Sequence, residues 1–493
     1  MNFDYAQLFS AAIPETVVVI TAFLALLVDF IFLRNLPART RTSLLATVTA
    51  VGCLSAIAWM GVSHSTYRLD DAIFVVNPMT QLVKQIILAL TIFTAFISVQ
   101  TNFTRHLGEY FILLLLASAG MMFLVSAENI LAIFLALELL SLSLYVLTAF
   151  NKQSVFSAEA ALKYFLFGGM SAAFTLFGLS LIYGVTGEMN LTAIAAKLAG
   201  KTTDPLFYVA LVMTVIGFGF KVAAAPFHMW APDAYQGSPT PVTSFIAAGS
   251  KVASFFILAK ILFTGFAGAE GDAGWHHYIS GWTPVLAILA ALSVIIGNLA
   301  AISQKSVKRL LAYSAIAHGG YALLGILTAD QKGFASLIYY VTTYALTVIG
   351  AFGVVAVVEN YGGDKLSDFA GLSRRAPILS ACMMVFMLSL AGIPPLAGFF
   401  GKFYVFTSAI QLGAKSLGLL WLVILAIAMS AVSLYYYLQV LKQIYVVDAS
   451  DKTTVSVALP TQFVIVALAI AVVVLGCVPN LLVGKILAAL SLG

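Results

Sequence analysis

The chain has 493 residues, of which 61% are hydrophobic and 9% charged, with a net charge of +5. A soluble domain carries about a quarter charged residues, so a monomer of this composition lacks the polar surface to cover itself. That excludes a soluble enzyme, a nucleic-acid binder and a disordered protein, and leaves an integral membrane protein.

Apolar runs of about 20 residues suit spanning helices, whereas a membrane barrel would alternate over segments of about 10. Cut at polar, Pro and Gly clusters, the chain yields fourteen such runs. They are 13–33, 43–62, 75–99, 108–126, 128–150, 158–186, 204–229, 240–265, 283–303, 307–328, 332–358, 376–410, 416–446 and 460–489. The expected fold class is an all-α integral membrane protein of about 14 transmembrane helices in one bundle, since most connections are short. The start, MNFDYAQLFSAAIPE, has no basic segment and no clear cleavage site, and reads as a mature N-terminus. Cys53, Cys382 and Cys477 lie far apart in apolar runs and form no metal or disulfide pattern.

An even number of spans puts both termini on one side. The odd-numbered connections then carry thirteen arginines and lysines, among them Arg34, Arg41, Arg105, Arg309, Arg374 and Lys452, against six on the other face, including Lys201 and Lys415. Basic connections stay inside, so both termini are expected on the outer, periplasmic side.

Charge within the hydrocarbon is costly and makes each such residue a functional candidate. Ten helical residues travel about 15 Å, half of a ~30 Å core. Glu138, Lys251 and His318 each lie about that deep in their spans. Lys221 and Lys402 are also well inside, each near a proline. Lys84, Lys163 and Lys260 lie close enough to span ends for the ammonium to reach the interface. Asp29 and Glu359 sit at inner ends, near Arg34 and Lys365 respectively.

Prolines add a second signal. Pro226 leaves the Val222 carbonyl without its helical partner, and Pro394 and Pro395 do the same to Leu390 and Ala391. Freed backbone at this depth needs neighbours or water, and discontinuous helices beside buried charges are a transporter pattern.

The stretch FHMWAPDAYQGSPTPVTSF (227–245) resembles the motif of the antiporter-like membrane subunits of respiratory complex I. Other similar stretches are SVKRLLAYSAIAHGGY (306–321), LALELLSLSLYVL around Glu138, AALKYFLFGG around Lys163 and LAGIPPLAGFFGKF ending at Phe403. The GSPTPVT variant and the lysine at 402 are most similar to the subunit N branch of bacterial NADH–quinone oxidoreductase.

The resemblance implies two inverted five-helix repeats with broken helices 7 and 12. Its divisions would be three N-terminal helices (1–107), a first unit (108–265), a second unit (283–446) and a C-terminal helix (460–493). It implies proton-transfer roles for Glu138, Lys221, Lys251, His318 and Lys402, and other membrane-arm subunits as partners beside the lipid bilayer. It implies no cofactor, no metal, no nucleic acid and no directly bound quinone.

Desolvation disfavours a charged ammonium, and a nearby carboxylate favours it. Glu138 beside Lys221 would hold the lysine's proton. Moving Glu138 away would release it toward Lys251, His318 and Lys402 through water. The chain carries no haem, flavin, iron–sulfur or nucleotide motif, so the driving reaction would lie elsewhere. The rival readings are the large subunit of a multisubunit sodium/proton antiporter and a structural scaffold. Sodium transport would favour more than one midplane carboxylate. The segment 232–241 with Asp233 is expected to be a structural inner-face connection.

Overall fold

The computed structural model describes residues 9–63, 66–68, 73–198, 204–275, 278–412, 418–448 and 454–491. Lys201, Lys415 and Lys452 of the charge count lie outside them, as do the first eight residues.

In chain order the helices are α1 (Ile13–Val28, prolonged by a π-helical turn Asp29–Leu33), α2 (Ala38–Val62), α3 (Pro78–Ile97), α4 (Leu107–Ser126) and α5 (Ile130–Thr148). There follow α6 (Val155–Thr186), α7 (Leu191–Leu198), α8 (Pro205–Lys221), α9 (Trp230–Gly237) and α10 (Thr240–Lys260). Next come α11 (Trp282–Ile302), α12 (Val307–Leu327), α13 (Gln331–Glu359), α14 (Leu372–Arg375) and α15 (Pro377–Ala391). The last are α16 (Ala397–Leu412), α17 (Leu420–Tyr445), α18 (Leu459–Cys477) and α19 (Asn480–Ser491). Among the described residues, twelve helices are long and apolar enough to cross a membrane. The run 204–229, in which α8 stops at the break, and the pair α15/α16 are the two broken spans, which together with those twelve account for the fourteen expected runs. Two short antiparallel hairpins, Tyr67–Arg68 with Val75–Val76 and Asp272–Ala273 with Tyr278–Ile279, decorate the connections.

The helix starts follow local chemistry. The first N–H groups of a helix have no internal partner, and small polar side chains supply one. Asn77 and Thr80 form a reciprocal cap ahead of α3. Asn129 caps α5, Asp204 caps α8 with Pro205 at the first position, Ser306 caps α12 and Asp330 caps α13.

Burial sorts the helices into layers. The apolar windows of α10, α12 and α13 are each 94% buried, whereas that of α1 is 33% buried. The three central helices therefore turn every face to protein, and polar groups on them meet other side chains rather than lipid. Close approach of α11 to α12 depends on Gly320: a Cβ there would fall 2.8 Å from the Ala290 carbonyl oxygen.

Several expectations change with the tertiary structure. The run 460–489 is two helices, because the chain turns at Val478-Pro479 before α19 restarts. Asp29 is held by Arg41 rather than Arg34, and Glu359 by Lys308 at 3.5 Å and the Thr240 hydroxyl rather than by Lys365. Lys163 is partly exposed and pairs with Glu159 at 2.7 Å and Asp233 at 2.9 Å, while Lys260 pairs with Glu128 at 3.3 Å. Lys84 does not reach the interface. Its ammonium lies 2.6 Å from Glu15 of α1, and both side chains are 1% exposed. Glu15, the third residue of the apolar run, is marked only by the tertiary structure, because proximity across helices is invisible in a linear pattern.

Breaking a buried pair from one side strands the other charge, at a cost of about 3–5 kcal/mol, whereas replacing both by apolar groups is often neutral. Glu15→Leu or Lys84→Met alone should lower thermal stability by that order, and the double variant should recover most of it. Equal losses in single and double variants, measured by thermal unfolding of the purified assembly, would show that the pair is not coupled.

Candidate functional site

Both interrupted spans leave carbonyls without a helical partner, and at the second a side chain takes them up. In the second break, α15 ends at Ala391, Gly392 turns with φ +89°, and α16 begins at Ala397. Lys402 of α16 reaches back across the break. Its ammonium donates to the Leu390 and Ala391 carbonyls, both at 3.0 Å, and to the Ser430 hydroxyl at 2.8 Å. These are the two carbonyls that Pro394 and Pro395 deprive of partners. A helix C-terminus carries partial negative charge, so the ammonium sits where a cation is favoured.

In the first break α8 ends at Lys221 itself. The Phe220 carbonyl accepts the Trp230 indole N–H at 3.0 Å, and the Ala225 N–H donates to the Ser293 hydroxyl at 2.8 Å. The Lys221 ammonium donates to Ser141 at 2.5 Å and to the Tyr145 hydroxyl at 3.4 Å, both on α5. In sequence one lysine precedes its proline and the other follows; in space Lys402 reaches back onto its break, whereas Lys221 reaches from the end of α8 to α5.

Lys251 and His318 lie between these two ends. The Lys251 ammonium donates to the Ala315 carbonyl of α12, one turn before His318. The Tyr344 ring lies 5.7 Å from the Lys251 ammonium and 4.9 Å from the His318 ring. On the other side, the Tyr321 ring lies 5.7 Å from His318 and 5.2 Å from the Lys402 ammonium. The imidazole itself is held between two hydroxyls, Tyr340 at 2.6 Å on Nδ1 and Tyr437 at 3.1 Å on Nε2. Tyr437 shares a hydrogen bond with Ser314 at 2.5 Å, and Tyr321 accepts one from Asn298 at 2.9 Å.

The five expected residues thus fall into two groups. Lys251, His318 and Lys402 are joined by aromatic rings. Lys221 belongs to a second group with Ser141 and Tyr145, on the helix that carries Glu138. Glu138 is half-buried, and no ammonium lies within 4 Å of it among the described residues. The expected Glu138–Lys221 ion pair is replaced by the Ser141 hydroxyl, one turn along α5. Sequence reading missed the hydroxyls Ser141, Tyr145, Tyr340, Tyr437 and Ser430, although Tyr339-Tyr340 and Tyr435-Tyr436-Tyr437 stand in mid-span where such groups need partners.

One distinction separates these lysines from the others. Lys84, Lys163, Lys260 and Lys308 each have a carboxylate within 4 Å. Among the described residues Lys221, Lys251 and Lys402 have none, and their ammoniums bind neutral oxygens. Losing a proton there strands no buried carboxylate.

The family described as NADH:quinone oxidoreductase/Mrp antiporter, transmembrane, matches residues 127–432, a stretch that contains all five residues. The chain belongs to this family. It is 51% identical over 489 residues to NADH-quinone oxidoreductase subunit N 2 of Acidobacterium capsulatum, covering 97% of this chain and 98% of that one. A chain of respiratory complex I from Thermus thermophilus with bound aureothin superposes with a TM-score of 0.78 at 33% identity, covering 96% of this chain and 98% of its own. A chain of the Mrp complex from Dietzia sp. DQ12-45-1b gives a TM-score of 0.82 at 20% identity, covering 98% and 97%, which is a likeness of fold.

The connection between the broken span and α10 is held by Asp233, near the start of α9. Its carboxylate accepts from Lys163 of α6 at 2.9 Å and from Arg309 of α12 at 2.6 Å. Burial pushes this carboxyl up, but the hydrogen bonds from Lys163 and Arg309 outweigh it and hold the group below its ordinary value. A carboxyl depressed in the folded state stabilises above its unfolded pKa of about 4 and loses that contribution as pH falls through the folded value. Asp233→Asn should therefore cost about 1 kcal/mol at neutral pH, the scale of a partly exposed pair. Its penalty should shrink toward the wild type in acid. Assembly should suffer more than turnover per assembled complex; full assembly with lost turnover would make Asp233 a proton-entry group.

Gly392 carries a second expectation. A Cβ there meets a positive φ, worth about 1–2 kcal/mol against a side chain, and would lie 3.1 Å from the Lys402 side chain. Gly392→Ala should slow turnover by displacing Lys402 while Gly61→Ala, in open space on α2, leaves it unchanged. Wild-type turnover in Gly392→Ala would separate Lys402 placement from rate.

Proposed function

We propose that the chain is the non-redox, proton-translocating subunit N of a membrane-bound NADH:quinone oxidoreductase. Near full-length identity of 51% to a relative named as that subunit supports the reading. The observation that carries the mechanism is the series of buried ammoniums that bind only neutral oxygens, two of them at helix breaks.

Protons would pass between Lys221, Lys251, His318 and Lys402, with Glu138 as the controlling carboxylate. His318 is the relay: one ring nitrogen of a neutral imidazole donates and the other accepts, and each faces a tyrosine hydroxyl. Electron transfer and quinone binding belong to other subunits, and coupling reaches this chain as a change in charge or position near Glu138. The half-exposed place of Glu138 favours control by a neighbouring membrane-arm subunit over permanent pairing with Lys221. The units would be residues 1–107, 108–265, 283–446 and 460–493, the middle two related by inversion. The chain would sit in the cell inner membrane with both termini on the periplasmic side. The Mrp-type likeness keeps a sodium/proton antiporter subunit as the second reading. Copurification with flavin and iron–sulfur subunits separates the two.

Glu138→Gln keeps shape and removes charge. It should lower proton pumping and coupled quinone reduction several-fold in a complex that still assembles. Pumping and reduction at the wild-type rate in the assembled variant would remove Glu138 from the mechanism.

A further inference from the structure

A cleft of about 430 Å³ opens where α1 ends, between the start of α2 and the connection that leads into α4. Arg34, Arg41 and Arg105 line it, with Leu26 and Phe30 on its apolar wall. The acids in it are already engaged. Asp29 is buried and accepts from Arg41 through both oxygens and from the Gly108 N–H at 2.8 Å. Glu109 faces His106 at 3.0 Å. Arg34 and Arg105 have no carboxylate within 4 Å among the described residues. Arg34 instead lies over the Phe30 ring, 5.7 Å from its centroid.

The apolar wall does not stop at the cleft. Ile20, Phe23, Leu27, Phe30 and Ile31 are all more than half exposed and follow one side of α1. From Ile20 to Ile31 the helix rises about 16 Å, close to the ~15 Å depth of one leaflet's hydrocarbon. The cleft lies on the face that the arginine and lysine bias assigns to the inside, where anionic lipids meet basic pockets between helices. Guanidinium forks match phosphate oxygens in pairs.

We propose that this cleft binds an anionic phospholipid of the inner leaflet. Its phosphate sits between Arg34 and Arg105, and an acyl chain lies along the exposed stripe of α1. A free phosphate would satisfy the guanidiniums but would leave the apolar wall uncovered, so the two features together select a lipid.

The test uses the assembled complex, stripped of loosely held lipid in detergent and examined by native mass spectrometry with added phosphatidylglycerol or inorganic phosphate. Arg34→Gln/Arg105→Gln should retain one phosphatidylglycerol fewer than the wild type. Arg34→Lys/Arg105→Lys should restore it, and Arg374→Gln, on another inner-face arginine that pairs with Asp448, should leave it in place. Three outcomes would overturn the proposal. The Gln pair could retain the same lipid; inorganic phosphate could displace the lipid from the wild type, which makes this a free-anion site; or the Gln pair could lose a neighbouring subunit while keeping its lipid, which makes it a protein contact.

Discussion

Inside a bilayer no water stands by to satisfy a stray carbonyl, and a helix that breaks there must find its partners in the protein. The second broken span shows how this constraint is met. At the second break Lys402 fills the role, its ammonium bonded to the two carbonyls that the proline pair deprives of N–H partners. At the first, Trp230 and Ser293 bond the Phe220 carbonyl and the Ala225 N–H, and the Lys221 ammonium goes to the hydroxyls of α5. A lysine at such a place serves the fold, and under the proposed mechanism the same contacts would serve the chemistry. The helix end favours its charge, and the neutral oxygens tolerate its loss.

The same logic sorts the rest of the charges. Pairs such as Glu15–Lys84 and the Asp233 junction with Lys163 and Arg309 hold opposite charges against each other. Replacing one member would strand the charge of its partner, so these contacts tie helices together. The lysines of the candidate axis hold no such partner. The difference lies in what surrounds the ammonium, since all of them are lysines in apolar helices.

Between Lys251 and Lys402 the structure places rings and hydroxyls in close order around His318. A tyrosine hydroxyl both donates and accepts, and an imidazole can exchange its two nitrogens in those roles. The direction of each hydrogen bond around His318 can therefore reverse without moving heavy atoms. Between Lys221 and Lys251 no hydrogen bond or ion pair crosses among the described residues; there the Val222 carbonyl lies beside Gly319. The proposed proton path therefore falls into two segments, and passage between them would be the step left to water or to motion.

The amino-acid sequence alone determined that this is a helical membrane protein, where nearly all of its spans begin and end, and that Glu138, Lys221, Lys251, His318 and Lys402 lie well inside theirs. Those properties are local: apolar length, caps, prolines and depth along a helix are all counted in residues. It also identified the carbonyls that Pro394 and Pro395 set free, because that loss follows from covalent structure. Only the tertiary structure decided which groups meet. It replaced the Glu138–Lys221 pair by Ser141, buried Lys84 against Glu15, split the last span at Pro479 and surrounded His318 with Tyr340 and Tyr437. Each of those outcomes depends on how helices distant in the chain rotate and cross. A sequence records depth along each helix, but the direction a side chain faces at that depth is set by packing.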